Sequence, residues 1–204
     1  MQDISLPSVG NQAKNGKRFK LATFNVRGLT QQVKQEQLSR DMKKYGIDIA
    51  CIQETKIKET MDKDINGYRL MCTETNTRHY GNGFIVSPKW KHHIHRYWRV
   101  SDRVSVLQMK TEQSKMKKVA DGLVSRSVGE CKLVLSRTQP TDHMINIINV
   151  YLPTSEKVLN DQNEAENVYT EIENLMNIFK KNKSSVTFVA GDFNSKVGRR
   201  NEKK

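Results

Sequence analysis

Apolar positions recur along this chain in short bursts separated by polar turns, and their spacing switches between two periods. Phe19 to Val26 (FKLATFNV) is the first burst and predicts a buried strand, broken by Arg27-Gly28. From Gln32 to Tyr45 the apolar residues Val33, Leu38, Met42 and Tyr45 stand at roughly helical spacing on a polar background, and Gly46 supplies a stop. Ile47 to Ile52 is a second strand that runs straight into Gln53-Glu54-Thr55-Lys56. Strand, helix, strand in that order predicts a parallel crossover.

Beyond Glu54 the texture changes. Tyr68 to Cys72, Gly83 to Val86, Lys91 to Val100, Ser105 to Met109, Lys132 to Leu135 and Met144 to Tyr151 are short alternating segments between turn residues, which predicts an antiparallel meander. Thr111 to Glu130 is polar and basic and is expected to be an exposed loop or insertion. Gln162 to Phe179 predicts a second helix, with Ala165, Val168, Ile172, Leu175, Met176 and Phe179 on its apolar face and Lys180-Lys181-Asn182-Lys183 at the negative end of its dipole. Val186 to Ala190 is a last buried strand, ending in Gly191-Asp192-Phe193-Asn194. Residues 1–18, rich in Gly, Asn, Gln and Lys, are expected to be a flexible leader, and residues 19–204 one domain.

Charge changes this picture. The chain of 204 residues carries 35 Lys+Arg against 22 Asp+Glu, a net +13 that fits a polyanionic partner such as nucleic acid or a merely soluble basic surface. No segment approaches the ~20 consecutive apolar residues of a spanning helix, and Met1 to Lys20 has no apolar core of signal-peptide type. Cys51, Cys72 and Cys131 are widely spaced and form no CxxC pair, so neither a zinc site nor a disulfide framework is indicated and a reducing, intracellular setting is expected. Lys89 to Arg99 interleaves basic residues and His92, His93 and His95 with Trp90, Tyr97 and Trp98. That patch fits either nucleic-acid stacking or aromatics facing a core.

Candidate chemistry gathers where strands end. Asn25 closes the first strand, Glu54 the second, and Asp192 and Asn194 the last. Side chains at strand ends can converge at one rim of a sheet, where ligand sites of α/β sheets form. Carboxylate and carboxamide oxygens are hard ligands that favour Mg²⁺ or Mn²⁺, and such a set suits metal-assisted phosphodiester hydrolysis. Plain structural roles stand beside this reading: Asn25 as a turn cap, Asn194 as an Asx-turn residue, Tyr151 as a packed aromatic.

The motifs TFNVRG with Asn25, QETK with Glu54, NVYLPTS with Tyr151, and GDFNSKVG with Asp192 and Asn194 resemble, in order, those of the endonuclease/exonuclease/phosphatase superfamily, which contains the apurinic endonucleases and DNase I. The resemblance covers about Phe19 to Gly198. More narrowly, TFNVRGL, IQETK, GNGFIVS, SDRV, INIINVYLPTS and GDFNSKVG are similar to endonuclease domains of RTE-type non-LTR retrotransposons and to the related craniofacial-development-protein-2-like host sequences.

The resemblance implies an α+β fold, a four-layer α/β/β/α sandwich of DNase I type, and a nuclear, DNA-directed enzyme, with RNA as the alternative partner. It implies Glu54 as the main ligand of Mg²⁺ or Mn²⁺, with Asn25 beside it as ligand or phosphate contact. Tyr151 would hydrogen-bond the scissile phosphate, Asp192 would align and deprotonate the attacking water, and Asn194 would hold a phosphate oxygen. A small-molecule phosphatase on the same fold and a non-catalytic basic binding module are the rival classes.

One element of the family pattern is missing. The superfamily closes with a further strand pair and an Asp-His motif, and no Asp-His follows Asp192 before Lys204. The pair Asp142-His143 precedes the Tyr151 strand and is expected to lie in a loop. The sequence therefore predicts a domain short of its last strands, with weak activity or none.

Overall fold

The computed structural model describes residues 19–75, 80–111, 115–118, 128–129, 133–136, 143–154 and 162–194. The first apolar bursts form β1 (Leu21–Asn25), α1 (Gln32–Tyr45) and β2 (Ile49–Gln53), and β1 pairs with β2 in parallel, as the crossover requires. Next come β3 (Met61–Ile65), β4 (Tyr68–Cys72) and β5 (Asn82–Val86), each antiparallel to its neighbour, with β5 returning alongside β2. A 3₁₀ turn at Lys91–His93 leads into β6 (Ile94–Arg99), followed by β7 (Val104–Thr111), β8 (Lys115–Lys118), β9 (Val128–Gly129), β10 (Leu133–Ser136) and β11 (His143–Tyr151). The helix α2 (Gln162–Lys180) and β12 (Ser185–Asp192) complete the order.

The strands make a six-stranded sheet in the order β3-β4-β5-β2-β1-β9 and a four-stranded sheet in the order β12-β11-β7-β6, with β8 and β10 paired separately. Strand periodicity of two sorts the side chains into three cores. Leu21, Ile49, Cys51, Phe84, Leu107, Met109, Ile145 and Ile147 face each other between the sheets. Ala22, Ala50, Ile52, Leu70 and Ile85 take the opposite face and pack under Leu38 and Met42 of α1. Val104, Val106, Ile148 and Val150 lie under Val168, Leu175 and Phe179 of α2. The order helix, sheet, sheet, helix is the four-layer sandwich expected from sequence.

Several expectations need correction. On α1 the buried stripe is Gln35, Leu38, Ser39 and Met42, and Val33 and Tyr45 are exposed. Positions i, i+3, i+4 and i+7 face the sheet here, and the cap at Gly46 fixes that phase through Gly46 N–H to Lys43 O and Ile47 N–H to Met42 O. The strand β3 (MDKDI) escaped the apolar pattern because it is a sheet edge, where charge blocks unwanted pairing. Its Asp62 accepts both guanidinium bonds of Arg69, which hold that carboxyl below the usual carboxylate range. The segment expected as a loop from Thr111 to Glu130 carries the end of β7, β8 and β9, and β9 adds to β1. His143 opens β11 and is not in a loop. The leader at 1–18 and the end of the GDFNSKVG motif lie outside the described residues.

A buried polar bridge joins the sheets below one rim. Gln53 Nε2 donates to Asn149 Oδ1 at 2.6 Å, and Asn149 Nδ2 donates to the carbonyls of Ile52 and Gly83 at 3.0 and 2.8 Å. Thr23 Oγ1 donates to Gln53 Oε1 at 3.2 Å. Gln53 and Asn149 are fully buried. Removing one partner strands the others without water. Asn149→Ala is expected to destabilise the fold by about 3 kcal/mol, read as a shift of the urea midpoint at unchanged slope.

Candidate active site

The phase of each strand decides which side chains reach the gap between the sheets at this rim. On β1, Leu21 faces the inter-sheet core, so Thr23 and Asn25 face the same way. On β11, Ile145, Ile147, Asn149 and Tyr151 share that face. On β12 the face is Phe188, Ala190 and Asp192. Both parallel pairs, β1 with β2 and β11 with β12, end at this rim.

Glu54 is out of phase by one residue, because Gln53 already occupies the inward position of β2. Its backbone departs from the strand in the left-handed region, φ 55°, and this brings its carboxylate back to the gap. Arg27 (φ 48°), Lys56 (φ 57°) and Asn194 (φ 45°) are also left-handed, so the non-glycine residues held in that strained region concentrate around this rim. Paired main chains hold the turns in place, with Gly28 N–H on Glu54 O at 2.7 Å and Leu29 N–H on Thr55 O at 2.8 Å.

The expected residues converge in one network. Asn25 Nδ2 donates to Glu54 Oε1 at 2.7 Å and to Asp192 Oδ2 at 3.0 Å, so a single amide lies between the two carboxylates. Tyr151 OH donates to the same Glu54 oxygen at 2.9 Å. Asp192 Oδ1 accepts the Asn194 N–H at 3.0 Å, an Asx turn. The Asn194 carboxamide is committed to the Leu152 carbonyl at 2.6 Å. Burial, then the hydrogen bond to Glu54 and its charge, push the Tyr151 phenol far above its ordinary pKa, so it remains a proton donor across the working pH range.

The donor set bears on the metal. Two carboxylates face one carboxamide, and among the described residues no group of three or more His, Cys, Asp or Glu stands ready for an ion. One or two carboxylates completed by water and substrate oxygens is the Mg²⁺ pattern, whereas a closed zinc site takes four protein ligands. Asn25 turns its NH₂ toward the carboxylates, and its Oδ1 accepts the Arg27 N–H at 3.2 Å. Lys56 Nζ stands 3.9 Å from Glu54 Oε2.

Sequence reasoning missed the ring around this network. Arg103 is buried against Tyr80 and Tyr151, and Glu164 of α2 pairs with it. The SDRV motif was the available signal for Arg103, but nothing in its spacing tied it to Tyr80 or Glu164. The aromatics of the basic patch face cores: Trp90 packs on Phe19, Tyr97 on Phe84 and Trp98 on Phe179. His143 lies at the opposite end of β11 from Tyr151, about 25 Å away along the strand. His79 lies outside the described residues.

Two facing sheets between outer helices make this a DNase I-like fold. No protein-family model and no curated protein matches the sequence. Among solved structures, the chain is similar to the catalytic domain of Xenopus laevis APE2, at 12% identity and a TM-score of 0.57, covering 86% of this chain and 58% of that one. It is also similar to TDP2 from Caenorhabditis elegans, at 14% identity and a TM-score of 0.53, covering 91% of this chain and 51% of that one. The chain thus spans little more than half the length of these neighbours.

Gly191 shows how tightly Asp192 is placed. It has φ 155° and lies opposite Val150, and a Cβ there would collide with the Val150 main chain. Gly191→Ala is expected to cost about 2–3 kcal/mol and to displace Asp192. Urea melts check the first effect, and loss of the site's function at a temperature where the variant is folded checks the second.

Proposed function

We propose that this chain is a metal-dependent phosphodiesterase domain acting on DNA. The observation that carries this reading is the single Asn25 amide bridging Glu54 and Asp192, with Tyr151 on the same Glu54 oxygen. Glu54 would hold Mg²⁺ or Mn²⁺, with the Asn25 carboxamide beside it. Bound there, the ion would supply charge stabilisation to the phosphoryl and leaving oxygens.

The chain's own groups divide the remaining work. Tyr151, kept protonated by its surroundings, would donate to a phosphate oxygen. Asp192, steadied by Asn25 and the Asn194 N–H, would orient a water and take its proton. Asn194 would contribute to the phosphate pocket, its side chain now spanning to Leu152. Arg27, Lys56 and Lys58 on the turns beside Glu54, and Lys34 in the first turn of α1, are cations suited to the flanking phosphates of a nucleic-acid strand. The net charge of +13 favours DNA over a small neutral substrate, with RNA as the alternative strand. The motif wording favours an origin in RTE-type retrotransposon endonucleases or their host relatives, and with it a nuclear setting.

A second reading, a non-catalytic DNA-binding module, is favoured by one observation. No histidine among the described residues stands at the site. Loss of one positioned phosphate contact commonly costs ~10²–10³ in rate, so slow turnover is the expectation for the described groups alone.

Plasmid nicking decides between these readings. We expect slow nicking that needs Mg²⁺ or Mn²⁺, stops with EDTA, and falls about 100-fold or more in Glu54→Gln and Asp192→Asn. DNA binding that ignores Mg²⁺ and survives Glu54→Gln, with no nicking, would favour the binding module. The Tyr151 phenol adds a pH signature. Because its pKa is raised, Tyr151→Phe should slow the reaction by one factor at every pH from about 6 to 9, with no inflection lost.

A further inference from the structure

We propose that Arg103 is a positioning residue for Tyr151, which acts on the reaction only by fixing that phenol against Glu54. The proposal rests on the phosphodiesterase reading for its kinetic consequence and on geometry for the rest.

Arg103 is only 4% exposed. A buried guanidinium is costly unless its charge and its donors are satisfied. Here Nε donates to Glu164 Oε1 at 2.8 Å, and Nη2 lies 2.7 Å from the same oxygen as an ion pair, off the line of a hydrogen bond. Nη1 donates to the Tyr151 carbonyl at 3.0 Å, and the Tyr151 N–H donates to the Arg103 carbonyl at 2.9 Å. The two residues are therefore joined twice, once from the Arg103 side chain to the Tyr151 main chain and once main chain to main chain. The guanidinium carbon sits 4.2 Å from the Tyr80 ring centroid and 5.2 Å from that of Tyr151. Tyr80 OH closes the ring by donating to Glu164 Oε1 at 3.3 Å.

These contacts restrain Tyr151 at its carbonyl, its amide and its ring face, and so aim its hydroxyl at Glu54. The clamp is itself anchored, because Ser101 Oγ accepts the Arg103 N–H at 3.2 Å and donates to Glu171 of α2 at 2.8 Å. Lysine would keep the charge but not the plane or the fork that meets carbonyl, carboxylate and two rings at once. Charge alone is thus not what the site uses.

The test is a double-mutant cycle on the full chain, read by kinetics and by fluorine NMR. In Mg²⁺-dependent nicking, Arg103→Lys should lower kcat about ten-fold with KM nearly unchanged. Tyr151→Phe should make that loss disappear, since nothing remains to be positioned. Fully additive losses overturn the proposal. With 3-fluorotyrosine in place of tyrosine, the Tyr151 line, assigned by Tyr151→Phe, should shift or broaden in Arg103→Lys, while the line of exposed Tyr169 stays put. A Tyr151 line that does not move overturns the proposal whether or not the chain cleaves DNA. Absence of nicking with a moved line would instead count against the phosphodiesterase reading alone. If Arg103→Lys does not fold, Glu164→Gln on the rim of α2 replaces it, with a smaller shift of the same line expected and an unmoved line again decisive against.

Discussion

The two sheets are held in register by a pair of buried amides, Gln53 and Asn149, and the rim above depends on that bridge. Gln53 is the last residue of β2 and Asn149 stands two before the end of β11. Glu54 follows Gln53 directly and Tyr151 is the last residue of β11, two beyond Asn149, so the Tyr151–Glu54 hydrogen bond meets only if the strands cross at this level. An apolar pair in the same place would let the sheets slide at small cost, since dispersion and burial are non-directional. Amides cannot slide, because each must keep its partners in a medium without water.

Much of the architecture was legible because its residues obey simple periods. The α1 span and the β4 span coincide with the expected ones, and β1, β2, β5, β7, β11, α2 and β12 differ only at their ends. What escaped was set by context. The charged β3 is a strand because β4 offers it partners, with Arg69 answering Asp62 across the pair. The exposed Val33 and Tyr45 count as apolar in any pattern, yet the helix face is chosen by Leu38 and Met42 against the sheet.

The candidate site was legible as a list of strand ends and not as a geometry. Asn25, Tyr151 and Asp192 point inward by alternation alone, which a period of two can foretell. Glu54 breaks the alternation and reaches the gap through a left-handed turn that no spacing rule announces. Arg103 was hidden for a different reason. Its partners, Tyr80 and Glu164, are separated from it along the chain by 23 and 61 residues, and only the folded chain brings them together.

Asp192 also stands on the outermost strand of the four-stranded sheet. Among the described residues β12 pairs only with β11, and its side chains are half-covered where those of β11 are buried. Such strands open at lower free energy than the strands they lean on. Fraying of β12 would withdraw one carboxylate from the rim while Glu54 and Tyr151, mounted on interior strands, stayed in place. Asp192 is thus tied to an edge strand, and any contact that sheltered its outer side would steady the network at the rim from outside.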